Sequence, residues 1–171
     1  NPEIDSVPYT FPVSGNRKFQ ITQSFNGVFS HKGLGNRHAV DIAMPVGTDI
    51  VAAREGVVIW AKDDYHMGGA RNYFLDKANY VSVLHDDGSF AVYAHLLLGS
   101  AVVKPGQRVE RGQKLGRSGS SGFSTGPHLH FVIRQNVDYR TRTVPFKFIL
   151  SDGKRYTPEA GMVIKVNSKA K

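Results

Sequence analysis

The chain has seven histidines and no cysteine, so a metal here would be bound through nitrogen and oxygen, and thiolate nucleophiles and disulfides are excluded. The richest stretch is GFSTGPHLHF, Gly122 to Phe131, where His128 and His130 stand one residue apart after a Gly, Ser, Thr and Pro loop. Extended, it turns Leu129, Phe131 and Ile133 to a core and both imidazoles to the opposite face. An isolated H-x-H is as readily a solvated polar pair as the edge of a metal site, so partners must come from elsewhere. In HAVDIAMP, Asp41 shares a strand face with Ala39 and Ala43, which leaves room beside its carboxylate, while Val40 and Ile42 take the other face. An acid inside a strand is intrinsically disfavoured, which singles it out. In AVYAHLLL, Val92, Ala94 and Leu96 read as the core set and put His95 on the opposite face. His31 and His38 are further candidates; His66, in a Gly-rich loop, and His85, at a turn, read as exposed.

The elements that must position these residues read as short strands. Helical periodicity is nearly absent and Gly or Pro recurs about every ten residues, which predicts an all-β fold, a sandwich or barrel. Ala78 to Gly99 reads as a hairpin about Asp86-Asp87-Gly88, Gly47 to Ala61 as two apolar runs about Arg54-Glu55-Gly56, and Val102 to Gly119 as Pro-Gly and Arg-Gly turns between very short strands. The 171 residues fit one domain, with a core of about 14–150 and extensions at 1–15 and 152–171 wrapped on it, the last few residues frayed. No apolar run reaches the ~20 residues of a membrane span, and no charged-then-apolar leader opens the chain. The formal charge of +8 favours a polyanionic partner, such as an anionic cell wall, or simply a soluble basic surface. YRTRTVPFKF mixes cations and aromatics without a nucleic-acid motif, so no nucleic-acid partner is expected.

SHKGLGNRHAVDIAMPVGTDIVAAREGVV, YAHL and VKPGQRVERGQKLGRSGSSGFSTGPHLHF together resemble the lysostaphin/LytM-type zinc metallopeptidases, which cut peptide bonds in bacterial peptidoglycan. The likeness runs from about Ser14 to Gln135, with three motifs in the family's order. It implies an antiparallel β fold, a sandwich or barrel-sandwich hybrid, with a groove floored by a sheet and walled by loops. It also implies one Zn2+ per chain held by a histidine, Asp41 and His130, with His95 and His128 as the catalytic pair, a peptidoglycan peptide as substrate and an extracytoplasmic, periplasmic or secreted, location. The chemistry is coherent: three ligands leave an open position for water, and without an H-E-x-x-H helix a histidine must act as base.

The first histidine ligand departs from the family's spacing. Many members place it four residues before the aspartate, where this chain has Arg37; His38, three before, falls with Val40 and Ile42 on the wrong strand face. His31, followed by the flexible loop KGLGNR, is the expected ligand, in the manner of a family subset with an S-H pair, leaving His38 a supporting residue. Two rival readings are a non-catalytic LytM-like binding or activator module, and a carrier domain suggested by similar turns and by Asp76-Lys77-Ala78. The first is disfavoured because every catalytic role has a candidate, the second because Lys77 runs straight into an apolar strand rather than capping a hairpin.

Overall fold

The computed structural model describes residues 7–31, 33–69, 78–123 and 126–171. Among these the chain forms only strands and turns: β1 (Tyr9–Thr10), β2 (Gly15–Gln23), β3 (Val40–Ala43), β4 (Asp49–Val51), β5 (Gly56–Lys62), β6 (Gly68–Gly69), β7 (Tyr80–Leu84) and β8 (Ser89–Ala94). Then follow β9 (Arg108–Val109), β10 (Lys114–Arg117), β11 (Gly122–Phe123), β12 (His128–Val137), β13 (Arg140–Thr143), β14 (Phe148–Ile149), β15 (Arg155–Tyr156) and β16 (Val163–Ser168). The expected all-β class is what is found.

One antiparallel sheet dominates, in the order β16-β2-β3-β12-β8-β7-β5-β9. Its axis is β12, which pairs with β8 along one edge; along the other, His128 to Phe131 pair with β3 and Arg134 to Val137 with β13. The H-x-H motif therefore lies in the middle of the sheet, a strand away from Asp41. Leu129, Phe131 and Ile133 are fully buried on one face with Tyr93, Val83, Ile42 and Ile21. Two small sheets cover that face, β1-β14-β15 and β4-β10, through an aromatic cluster in which Phe146 lies edge-on to Tyr9, Phe131 and Phe148. Burial of such rings supplies roughly 2–3 kcal/mol each, so the main core lies on the side of the sheet turned away from the histidines.

The hairpin at β7 and β8 turns at Asp86-Asp87-Gly88 as expected, with Gly88 at φ 78°. The apolar runs about Arg54-Glu55-Gly56 instead part company, β4 pairing with β10 and β5 with β7 and β9. Gly56 is required there by close approach, since a Cβ would meet the Leu84 carbonyl at 2.2 Å. The C-terminal residues are not frayed: Lys171 donates to the Gly112 carbonyl at 3.0 Å and accepts from Lys114 at 3.3 Å. Lys77 lies outside the described residues. No helix among the described residues is long and apolar enough to cross a membrane.

Candidate metal centre and its groove

Asp41 stands directly opposite His130 across β3 and β12. Because Val40, Ile42, Leu129 and Phe131 fill the core, both polar side chains emerge on the other face, and His130 Nδ1 lies 2.8 Å from Asp41 Oδ1. His31 comes from the loop between β2 and β3. Its ring is completely buried, with Nδ1 2.9 Å from the Ser24 carbonyl and Nε2 3.3 Å from the same Asp41 oxygen. One donor atom from each of His31, Asp41 and His130 lies within 4.8 Å of the other two.

A carbonyl only accepts, so Nδ1 of His31 carries the proton and a neutral ring turns a bare Nε2 lone pair toward a carboxylate. That nitrogen is buried and makes no hydrogen bond. Two lone pairs facing each other out of water repel unless a proton or a cation sits between them. Burial would lower His31, but Asp41 outweighs it and raises the imidazole pKa. Burial would raise Asp41, but its contacts with His130 and His31 hold the carboxyl well below the usual range. His130 is lowered, burial outweighing the pull of Asp41. Two imidazoles and a carboxylate suit a first-row divalent metal, and the 3.3 Å separation is about the edge of a tetrahedron with bonds near 2 Å. The three residues can hold such an ion.

The other carboxylate oxygen is fixed by Gln23, a residue with no signal in the sequence. Its Nε2 donates to Asp41 Oδ2 at 2.8 Å and to Ser30 Oγ at 2.8 Å, and its Oε1 accepts from the backbone of Phe29 and Ser30. One side chain thus sets the rotation of Asp41 and pins the loop that carries His31. A β-bulge between Ile21 and Gln23 brings it opposite Asp41. Gly27 passes so near that a Cβ would collide with it at 2.3 Å.

His128 and His95 stand on the groove side of this cluster. His128 donates from Nδ1 to the Gly126 carbonyl at 2.8 Å, which leaves Nε2 as the acceptor, 3.8 Å from Asp41 Oδ1. His95 donates from Nδ1 to the Ser121 carbonyl, and its ring lies 4.6 Å from that of His128 and 5.8 Å from that of His130. Burial, reinforced by the two neighbouring imidazoles, pushes His95 down to about 3.

His95 does not arrive by strand alternation. Tyr93 is fully buried in the core, while Val92 and Ala94 pack on the groove face with Val132 and Ala39, the reverse of the reading from the sequence, in which only Leu96 of the three reaches the main core as expected. Continued alternation would send His95 into the core with Tyr93. It follows the end of β8 and adopts φ 66°, and this left-handed residue turns the side chain out. His38 is apart from the cluster, 2.9 Å from Thr143 Oγ1 and edge-on to Phe25. His66 is exposed as expected. His85 is not: it is 3% exposed, bonded to the Glu55 carbonyl and packed against Tyr9.

The centre lies in a groove of about 1600 Å³, beyond the ~300–1,000 Å³ of small-ligand pockets and suited to an extended substrate. Residues 24–30 form one wall together with 157–160, which come from the C-terminal extension, and Ser24 Oγ donates to the Pro158 carbonyl. Gly126, Pro127 and Ala78 line the groove too; elsewhere β6 pairs in parallel with β11, and a Cβ on Gly68 would strike the Ser120 carbonyl at 1.8 Å.

Comparison with known proteins places the chain in a family. The model of Peptidase family M23 matches residues 35–141. The peptidoglycan DD-endopeptidase ShyA of Vibrio cholerae is 34% identical over 126 residues, 72% of this chain and 26% of the relative. The glycyl-glycine endopeptidase ALE-1 of Staphylococcus capitis is 35% identical over 120 residues, 70% of this chain and 30% of the relative. The chain thus spans under a third of the length of these curated relatives. Among solved structures, the catalytic domain of the prophage-encoded M23 protein EnpA from Enterococcus faecalis superposes with a TM-score of 0.56 at 30% identity, covering 74% of this chain and 87% of that one. With a match over well above half its length, this chain belongs to peptidase family M23.

Proposed function

We propose that the protein is a zinc-dependent endopeptidase that hydrolyses peptide bonds in bacterial peptidoglycan outside the cytoplasm. The observation that carries this reading is the buried His31 Nε2, without a hydrogen bond and 3.3 Å from Asp41 Oδ1, behind Asp41 and His130 where these line the groove. His31 Nε2, Asp41 Oδ1 and His130 Nδ1 would hold one zinc ion per chain. Zinc there supplies a Lewis acid for the scissile carbonyl and lowers the pKa of the attacking water. The remaining work falls to groups of the chain. His128, protonated on Nδ1 by its bond to Gly126, presents Nε2 to take the water's proton and then deliver it to the leaving amine as the C–N bond breaks. His95, kept neutral near neutral pH, offers an acceptor that orients the water. The relatives named for peptidoglycan bonds support the substrate class, and the +8 charge suits an anionic wall polymer.

The test combines metal analysis with mass spectrometry of fragments from defined muropeptides. The expected result is about one zinc per chain, and cleavage that a strong chelator abolishes and zinc restores. Active protein without metal would end the zinc mechanism, and zinc-loaded protein that cleaves none of the muropeptides would end the peptidase reading.

A further inference from the structure

The groove runs well past the metal centre, and strand register sets what lies on its floor. Along β12, alternation puts His128, His130, Val132 and Arg134 on the groove side of the sheet; His128, His130 and Arg134 line the groove, and Val132 lies fully buried beneath it, packed with Val92 and Ala94. Beside them on β8 stand Ala94 opposite His130, Val92 opposite Val132 and Phe90 opposite Arg134. Across β7, Tyr80 and Ser82 follow, and Trp60 of β5 lies opposite Ser82. Along β12 the floor is therefore polar at its two ends and apolar between them. Four residues of strand separate His130 from Arg134, about 13 Å.

Arg134 is a half-buried cation whose bonds leave it charged. Its Nε and Nη2 donate to the Gly35 carbonyl at 3.1 and 2.9 Å, and Nη2 donates to Asn36 Oδ1 at 3.0 Å. All these acceptors are neutral, and no carboxylate pairs with it among the described residues. Burial lowers its pKa, the cost of a desolvated charge without a counter-ion. The loop anchors the guanidinium and leaves Nη1 without a hydrogen bond among the described residues. A guanidinium so held is organised for a carboxylate, with which it forms strong charge-assisted bonds.

We propose that Arg134 binds a carboxylate carried by the substrate about four residues from the bond that is cut, the peptide lying extended along β12. This rests on the peptidase reading above. An extended peptide advances about 3.4 Å per residue, so four residues span the distance from the metal centre. The intervening residues lie over Val92 and Ala94, on the side toward Tyr80 and Trp60, whose rings stack at 6.4 Å and 11°. The carboxylate can belong to an acidic side chain or to a chain terminus.

Trp60 is the chain's single tryptophan and lines the groove, so its fluorescence reports binding whether or not anything is cleaved. Zinc-loaded wild type, Arg134→Gln and Arg134→Lys are titrated with alanine-glycine hexapeptides of two kinds. One carries a single glutamate at each position in turn, against glutamine; the other has a free C-terminus, against its amide. The expected result is one register in which the acid binds at least about tenfold tighter than its neutral partner, lost in Arg134→Gln and partly kept in Arg134→Lys. The winning kind of peptide identifies the source of the carboxylate. Equal binding of acid and neutral peptides by the wild type, or no binding of any acid peptide at millimolar concentration, overturns the proposal. So does an equal loss for both kinds in Arg134→Gln, which would leave Arg134 only as the anchor of the Gly35 loop. Muropeptide cleavage is read separately. Discrimination without cleavage counts against the peptidase reading alone, and cleavage without discrimination against the subsite alone.

Discussion

Asp87 and Asp41 both have nitrogen donors close at hand, and the two clusters balance charge in opposite ways. Asp87 bonds Arg54 at 2.7 Å and accepts from the backbone and hydroxyl of Ser89 at 2.9 and 2.6 Å. Arg54 is 4% exposed and reaches Asp86 and the hydroxyl of Tyr9 as well. The cation there is permanent and built into the chain, so the cluster balances its charge as folded, even though Arg54 Nε is buried without a hydrogen bond. Among the described residues, each nitrogen paired with the Asp41 carboxylate belongs to an imidazole or to the amide of Gln23, so within this set the positive charge comes from a proton or a metal. A covalently fixed cation makes a brace; an exchangeable one makes a site.

The sharpest way to break this comparison is to remove a donor from each group around Asp41. His31→Ala, Asp41→Ala and His130→Ala are expected to lose both bound zinc and measurable peptide turnover, since each removes one of three anchors. His95→Ala and His128→Ala are expected to keep zinc and slow turnover by at least ~100-fold. Zinc content and turnover measured side by side decide it: a His31 variant with normal zinc would dissolve the proposed centre. Gln23→Leu should weaken zinc affinity by about 10–100-fold, the range for groups that orient a ligand. Unchanged affinity in a zinc-competition titration would reduce Gln23 to a loop fastener.

On the other side, Arg54→Met should cost about 2–3 kcal/mol, with or without zinc, because it strands buried polar groups. Thermal melts of metal-loaded and metal-free protein check this; a loss that vanished on metal removal would couple the two clusters. Acid should separate them too. Burial works against Asp87, but bonds from Arg54 and Ser89 hold it at about 2, below the ~3.9 of an unfolded aspartate. Its contribution, up to about 2 kcal/mol, is complete above pH ~4 and disappears as pH falls through about 2. Zinc should leave earlier, below about pH 6, as the imidazoles take up protons. Metal release and unfolding at the same pH would contradict the separation. The smallest expected effect is that of His38→Ala, a loss of under ~1 kcal/mol through its Thr143 bond with zinc retained.

Much of this was legible in the sequence because strand parity is a strict rule. His128 and His130 opposite Leu129 and Phe131, and Asp41 between two alanines, followed from alternation alone, and the same rule set His38 aside in favour of His31. Parity failed at His95 because Val92 and Tyr93 are both apolar; nothing in the string says which belongs to the deeper core. A histidine at a turn reads as exposed, but Tyr9, from a segment 76 residues upstream in the sequence, covers His85. Gln23 and Arg134 carry no motif. Each matters through partners brought by a bulge or a distant loop, and such partners appear only in three dimensions.

The hydrogen bond from Ser24 to Pro158 spans 134 positions of sequence. Loop closure over such a separation makes it among the costliest contacts to form early, so the wall it fastens is expected to join last as the chain folds. His128 and His130 are made 28 or more residues before Pro158 on a growing chain. The metal cluster can therefore gather while one bank of its groove is still missing, and a complete cleft is delayed until the final strands dock. Under the peptidase function proposed above, the order in which the chain folds is then a safeguard in time.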